Sequence, residues 1–561
     1  MRRRGLLLVV LTLTIAMIGA ACGKSNKNSN ASTTTTNANV PKGGTLVIGA
    51  EQEPDCMDWI ASCSGSTWGD YMVKEQTMPA PYVFEKNPDG GYSYKWNSLV
   101  LSEEPKLETS PVQKITYKIN PKAVWSDGVA ITSSDFKYTW DQIANGTDVY
   151  DKTGYDQIAG VDDSNPKVAV VTFKDGKTFA DWKSLFTSNY GVEPSHLLQG
   201  KDRDAEMKDG YKWSGGPWML DSWTKTDNIT LVPNPNFWGT KPSLDKVIFK
   251  IQADTSAEFT AFKSGQTMMI YPQPQLDAVD QINAGIPNTQ KDIPQKTPAF
   301  ESLWMNNAAP PLDDVNVRKA VAYALDRDAI VNRLFGGIGI KQSIQAIAAN
   351  INPDADQQVF STYKQDLGQV DKLLTASGYK KGADGIYAKN GTPLAITVRS
   401  TAGNKRRELT EQILQDQLKT AGITLTVDNQ KAGDLFGTTL PTGAFQMAIY
   451  AQNVTSLGDI TCNLFCSKNT APIGQKSGNN YTRTQLPDLD KQLLASELEL
   501  DNSKLKSELG AAGKIMADQL VSLPLDPLPN LTLWSNKIVG KVTGNGVFGP
   551  FYNMNEWGLT P

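Results

Sequence analysis

Regular patterning begins at "GGTLVIGA" (Gly43–Ala50), an alternating, β-branched stretch that predicts a strand. Further strands are expected at "KITYKI" (Lys114–Ile119), "KVAVVTF" (Lys167–Phe173), "NITLVPN" (Asn228–Asn234) and "KVIFKIQA" (Lys246–Ala253). Between Val100 and Asn236 strands and turns dominate, with short helices such as "SSDFKYTWDQIA". From Asp313 the period lengthens. Asp313 or Asp314 can cap a helix that carries Val317, Ala320, Val321, Ala324 and Leu325 on one face. In "NKRRELTEQILQDQLKTAG" Leu409, Ile413, Leu414 and Leu418 point inward and Gly422 stops the helix. Strands "LAITVRS" (Leu394–Ser400) and "ITLTVDN" (Ile423–Asn429) flank it, a β-α-β unit that predicts an α/β lobe in the second half. A long charged helical region is expected over Leu489–Leu520.

The N-terminal stretch has a different pattern. Arg2, Arg3 and Arg4 precede an uncharged run from Gly5 to Ala21, shorter than the roughly 20 apolar residues a membrane-crossing helix needs. A charged start, a short apolar middle and the small residues Gly19, Ala20 and Ala21 read as a secretory signal. The segment ending at Cys22 resembles the lipobox of bacterial lipoproteins, in which the cysteine thiol is acylated and becomes the new N-terminus. Gly19 departs from the Leu preferred at its place. Gly23–Val40 is Asn, Ser and Thr with a few Lys, so it reads as a flexible tether with a mean reach of roughly 25 Å. Pro41–Pro561 is too long for one core and predicts two or more lobes.

A hydrophobic content of 40% and a charged content of 20% are those of a globular body. The net charge of -4, with no basic cluster, argues against a nucleic-acid partner. Apart from Cys22, the five cysteines leave Cys56, Cys63, Cys462 and Cys466, an even set with three possible pairings. The local pairing, Cys56 with Cys63 and Cys462 with Cys466, is preferred. His196 is the single histidine, so neither a metal site nor a cofactor is expected. Acyl transfer calls for a base beside a nucleophile, and His196 lies in "VEPSHLLQG", a turn before a short helix. Neither a Gly-x-Ser-x-Gly elbow nor a His-Glu-x-x-His pair occurs, and no enzymatic activity is expected. Composition alone leaves a carboxylate-pair glycosidase open.

Three stretches, in order, resemble the extracellular solute-binding proteins of the peptide/nickel class. They are "VWSDGVAITSSDFKYTW" (Val124–Trp140), "GGPWMLDSWTKTDNITLVPNPNFWGTKPSLDKVIFKI" (Gly215–Ile251) and "MNNAAPPLDDVNVRKAVAYALDRDAIV" (Met305–Val331). The resemblance runs from about Gly43 to Trp557. It implies an α/β, two-lobed, periplasmic-binding-protein-like fold with two hinge crossings, near residues 298 and 529, and an extra subdomain in the first lobe. The expected division is a signal at 1–21, the lipidated cysteine and linker at 22–42, lobe I from 43–85, 213–298 and 530–561, the subdomain at 86–212 and lobe II at 299–529. The function it implies is capture of a short peptide or peptide-like solute for the permease of an ATP-driven importer. The expected protein is a monomer on the outer face of the cytoplasmic membrane. An oligosaccharide ligand, or a sensor partner in place of a transporter, is the alternative.

The blocks that carry the resemblance read as architecture: Trp125 as a core aromatic, Ser126-Asp127-Gly128 as a turn, and Arg318 as one half of an ion pair with a local acid, a ligand carboxylate being its alternative partner. The resemblance places the ligand site elsewhere. Tyr450 falls where the dipeptide-binding branch has Trp, and Asn453 where it has the Asp that takes the ligand's ammonium. Asn brings no charge, so a free peptide N-terminus is held less firmly there unless Asp459 or another acid supplies one. Arg399 aligns with the arginine that receives a ligand carboxylate; a surface pair with a local acid is the alternative. Arg406 and Arg407 fall on the following helix, with at least one expected in solvent. Trp304, Trp59 and Trp68 are further candidates for the pocket wall.

Overall fold

The two largest sheets among the described residues are built from one chain that passes between them twice. The computed structural model describes residues 40–87, 92–187, 190–272, 276–293, 299–347, 358–453, 462–470, 472, 474, 478–529 and 531–561. All of these belong to the unit Asn39–Pro561. The apolar run, Cys22, most of the tether and Asp459 lie outside the described residues. No described helix is long and apolar enough to cross a membrane.

The first sheet has seven strands in the spatial order Thr289–Asp292, Thr532–Ser535, Met269–Ile270, Thr45–Ala50, Lys246–Ile251, Asn228–Pro233 and Trp218–Thr224. Thr45–Ala50 is parallel to Lys246–Ile251, with Ile48 opposite Phe249. The second sheet has five strands in the order Thr424–Val427, Ala395–Arg399, Met447–Asn453, Ala299–Met305 and Ser522–Pro527. The chain leaves the first sheet after Asp292 and enters the second at Ala299. It returns between Pro527 and Thr532. The strands that adjoin the two crossings are neighbours: Ala299–Met305 pairs antiparallel with Ser522–Pro527.

The two largest apolar cores among the described residues follow the two lobes. One apolar cluster runs from Phe300 to Leu525 and fills the second lobe. Another joins the first sheet to residues of an inserted four-stranded antiparallel sheet, where Ile115, Tyr117, Ala169 and Val171 are enclosed. The inserted sheet carries the helix Ser133–Asn145, closed by a capping box between Thr132 and Asp135. Trp125 is wholly buried and donates from Nε1 to Asp135 at 3.1 Å. Asp127 holds the turn by accepting from Val129 N at 3.0 Å and meets His196 Nε2 at 2.8 Å.

In lobe II, Asp314 caps the helix Val315–Ala324, and Val317, Ala320, Val321 and Ala324 are fully buried. The β-α-β unit is present: Ala395–Arg399 runs parallel to Thr424–Val427, with the helix Lys405–Thr420 between them. Both disulfides are local, Cys56–Cys63 and Cys462–Cys466.

Three expectations need correction. The charged region after Leu489 forms two helices, Pro487–Leu498 and Asn502–Gln519, because the Asp501 side chain caps the second and breaks the run. Arg318 is buried against carbonyls in place of an acid, donating to Leu520 O at 3.1 Å, Leu312 O at 2.8 Å and Gln519 O at 2.7 Å. Neither Arg406 nor Arg407 is solvated. Both are buried, and the enclosed face of their helix starts with them before continuing through Thr410, Glu411, Leu414 and Leu418.

Candidate functional site

Ligand sites of open α/β sheets lie outside the carboxyl ends of the parallel strands. Here those ends face each other across the lobes. The loop after Ala395–Arg399 reaches the loop after Lys246–Ile251. Gly403 has φ +89° there, and a Cβ on it would lie 3.0 Å from Ala253 O. Glycine serves both demands, the left-handed backbone and the close approach. A Cβ on Gly433, beyond Thr424–Val427, would lie 3.1 Å from Oδ1 of Asp55, beyond Thr45–Ala50. The inserted subdomain also touches lobe II: Asn479 donates to Tyr150 O at 3.0 Å, Ala180 N to Glu497 O at 2.7 Å, and Thr178 to Leu498 O.

An ionic cluster lies under the lobe II side. Glu301, on the first crossing strand, is fully buried. It accepts from Arg406 Nη2 at 2.5 Å and from Arg407 Nε at 2.6 Å. Arg407 also donates to Thr401 Oγ1 at 2.7 Å. Burial works to raise the Glu301 carboxyl, yet the two guanidinium groups overcome it and hold the group below its usual range. Asp526 pairs in register with Glu301 on the second crossing strand, and its buried carboxylate oxygens accept no hydrogen bond among the described residues. Burial pushes that carboxyl up to about 7, with Arg406 opposing and Glu301 adding to the rise. Arg406 also feels Glu51 of lobe I, so the cluster reaches across the hinge.

Arg399 closes its strand and is committed locally: Nε meets Asp428 Oδ2 at 2.9 Å, Nη2 meets the same oxygen at 2.9 Å, and Nη1 donates to Ala444 O. Asn453 ends the strand Met447–Asn453, its backbone opposite Ala299. Tyr450 stacks on Trp304 with ring centroids 4.9 Å apart and planes 15° apart, and its carbonyl accepts from Trp304 Nε1 at 2.8 Å. Trp304 is 1% exposed and also faces Phe465, so its ring lies within the lobe II core. Trp59 is equally enclosed and donates to Tyr211 Oη at 2.8 Å. Trp68 joins Tyr271 and Phe551 in an aromatic group in lobe I, with the Tyr271 ring edge-on at 5.9 Å. The structure thus brings Trp304 and Tyr450 together and leaves Trp59 and Trp68 in the other lobe.

Sequence reasoning did not single out Glu301, Asp526 or Asp55. Their surroundings come from segments far apart in the chain, and an isolated acid in a strand or loop carries no local signal.

This is the architecture of a two-lobed solute-binding protein. Residues 101–461 match the model of the bacterial extracellular solute-binding proteins, family 5, and the chain belongs to that family. The oligopeptide-binding protein OppA of Mycobacterium tuberculosis is 24% identical over 507 residues, covering 88% of this chain and 81% of that protein. Among solved structures, the periplasmic EDTA-binding protein EppA superposes with a TM-score of 0.78 at 22% identity, covering 95% of this chain and 100% of its own. The oligopeptide-binding protein AppA of Bacillus subtilis, in complex with a nonapeptide, gives 0.76 at 19% identity and covers 93% and 100%.

Proposed function

We propose that this protein is the extracytoplasmic receptor of an ATP-driven importer. It captures a short peptide or peptide-like solute between its lobes and delivers it, chemically unchanged, to a membrane permease. The observation that carries this reading is the meeting of parallel-strand ends from two lobes that are joined by a pair of adjacent crossings. Such a paired hinge favours closure over a guest. The segment ending at Cys22 supports a lipid anchor at the outer face of the cytoplasmic membrane, and the receptor acts as a monomer.

Arg399 is the candidate partner for a ligand carboxylate. Its guanidinium has N–H groups beyond those given to Asp428 and Ala444, and the fork suits a planar anion. Asn453, uncharged, supports the second reading, a neutral oligosaccharide. EppA and AppA bind chemically unlike guests, EDTA and a nonapeptide, so the ligand has to be sought directly.

Calorimetry of the purified body against a short-peptide library should find a ligand of micromolar or tighter affinity. Failure of every peptide to bind would overturn the peptide reading. Arg399→Ala should then weaken that ligand about 10- to 100-fold, matching ~1.5–3 kcal/mol for a hydrogen bond to a charged group. Unchanged affinity would remove Arg399 from the site and favour a neutral solute.

A further inference from the structure

The loop Glu51–Asp58 leaves the carboxyl end of the first strand carrying four carboxylates, Glu51, Glu53, Asp55 and Asp58. Three are engaged. Glu53 Oε2 accepts from Trp223 Nε1 at 3.1 Å and from Thr226 N at 2.9 Å. Asp58 accepts from Arg203 Nε at 2.9 Å on each carboxylate oxygen and from Ile60 N at 3.2 Å. Glu51 acts electrostatically on Glu258 and on Arg406. Asp55 is different: it has neither a hydrogen bond nor an ion pair among the described residues, although Gly433 of lobe II lies against it. Tyr481, also of lobe II, feels its charge.

The position of Asp55 is built, not incidental. Pro54 packs so closely that a Cβ on Gly69 would lie 2.8 Å from it. Cys56, on the other side, is tied to Cys63. Asp58 and Trp59 are anchored in turn to Arg203 and Tyr211. A half-buried carboxylate on a fixed loop, stripped of part of its water and given no donor, is a standing cost. Burial, with Glu53 adding, pushes its carboxyl up to about 6. A bound cation would remove that cost by supplying a charge-assisted hydrogen bond.

We propose that Asp55 receives the cationic group of the ligand, a primary ammonium such as a free peptide N-terminus, so that lobe I supplies the negative charge that Asn453 of lobe II lacks. This rests on the peptide-receptor reading above. A cation held from lobe I while Gly433 and Tyr481 close over it makes capture depend on both lobes at once.

The test is native mass spectrometry of the purified protein incubated with a tripeptide library and, separately, with the same library N-acetylated. Wild type should retain free-amine peptides at least tenfold over acetylated ones. Asp55→Asn should lose that preference while still retaining acetylated peptides at the wild-type level, which also shows that the variant is folded. Wild type without a preference, or Asp55→Asn with the preference intact, overturns the assignment alone. Capture of neither library by wild type overturns the peptide reading and the assignment with it.

Discussion

Two buried glutamates, one in each half of the molecule, have opposite chemistry. Glu301 of lobe II is wholly enclosed yet stays ionised, because two guanidinium groups meet its oxygens. Glu193 of the inserted subdomain is 1% exposed, and neither of its carboxylate oxygens accepts a hydrogen bond among the described residues. Burial pushes its carboxyl up to about 8; the charge of Asp58 adds to the rise and Arg203 opposes it. Depth is the same, so depth does not decide ionisation. The donors within reach do. Asp55 stands between these cases, with its burial incomplete and its donor still to come.

Glu301→Ala should have the largest effect on this contrast. It leaves Arg406 and Arg407 enclosed without that acid, and breaking a buried pair costs about 3–5 kcal/mol. Urea unfolding should read that loss directly, and a loss under about 1 kcal/mol would mean the pair holds nothing in place. Glu193 gives a smaller effect that depends on pH. An unfolded glutamate loses its proton near 4.5, whereas the native one keeps it to about 8. In that window the folded chain binds more protons, so stability falls as pH rises through it. Glu193→Gln should flatten that fall, so that its stability relative to wild type rises from pH 5 to pH 8. The denaturation midpoints at the two pH values check it, and parallel midpoints would show that Glu193 is ionised after all. Asn404→Ala is the smallest. Its side chain accepts from Arg407 N at 3.0 Å and starts the helix that presents the arginines. Losing the cap should cost about 1 kcal/mol with little change in pH dependence.

The strands and the β-α-β unit were legible because their signals are local: alternation, a capping Asn or Asp, a terminal Gly. Asn404 and Gly422, for instance, bracket the helix Lys405–Thr420, and Gly422 takes φ +85°. Arg406 and Arg407 were not legible. Two cations at a helix start read as solvated unless an acid is known to lie beside them, and Glu301 is over a hundred positions away. Asp55 could not be told from its three acidic neighbours by sequence, since only the folded loop shows which of them already have partners. Trp59 and Trp304 show the converse: a large aromatic reads equally well as pocket wall or as filling.

The strand Thr532–Ser535 lies inside the first sheet, between Met269–Ile270 and Thr289–Asp292. Lobe I therefore waits on a segment made long after its strand Thr45–Ala50 and after the strands of lobe II. The core of lobe II is contiguous in sequence, whereas lobe I is completed by contacts of very long sequence separation. In a polypeptide wired this way the first-made lobe stays open until the second has been made, so the sheet that starts the molecule is closed only after the other is complete.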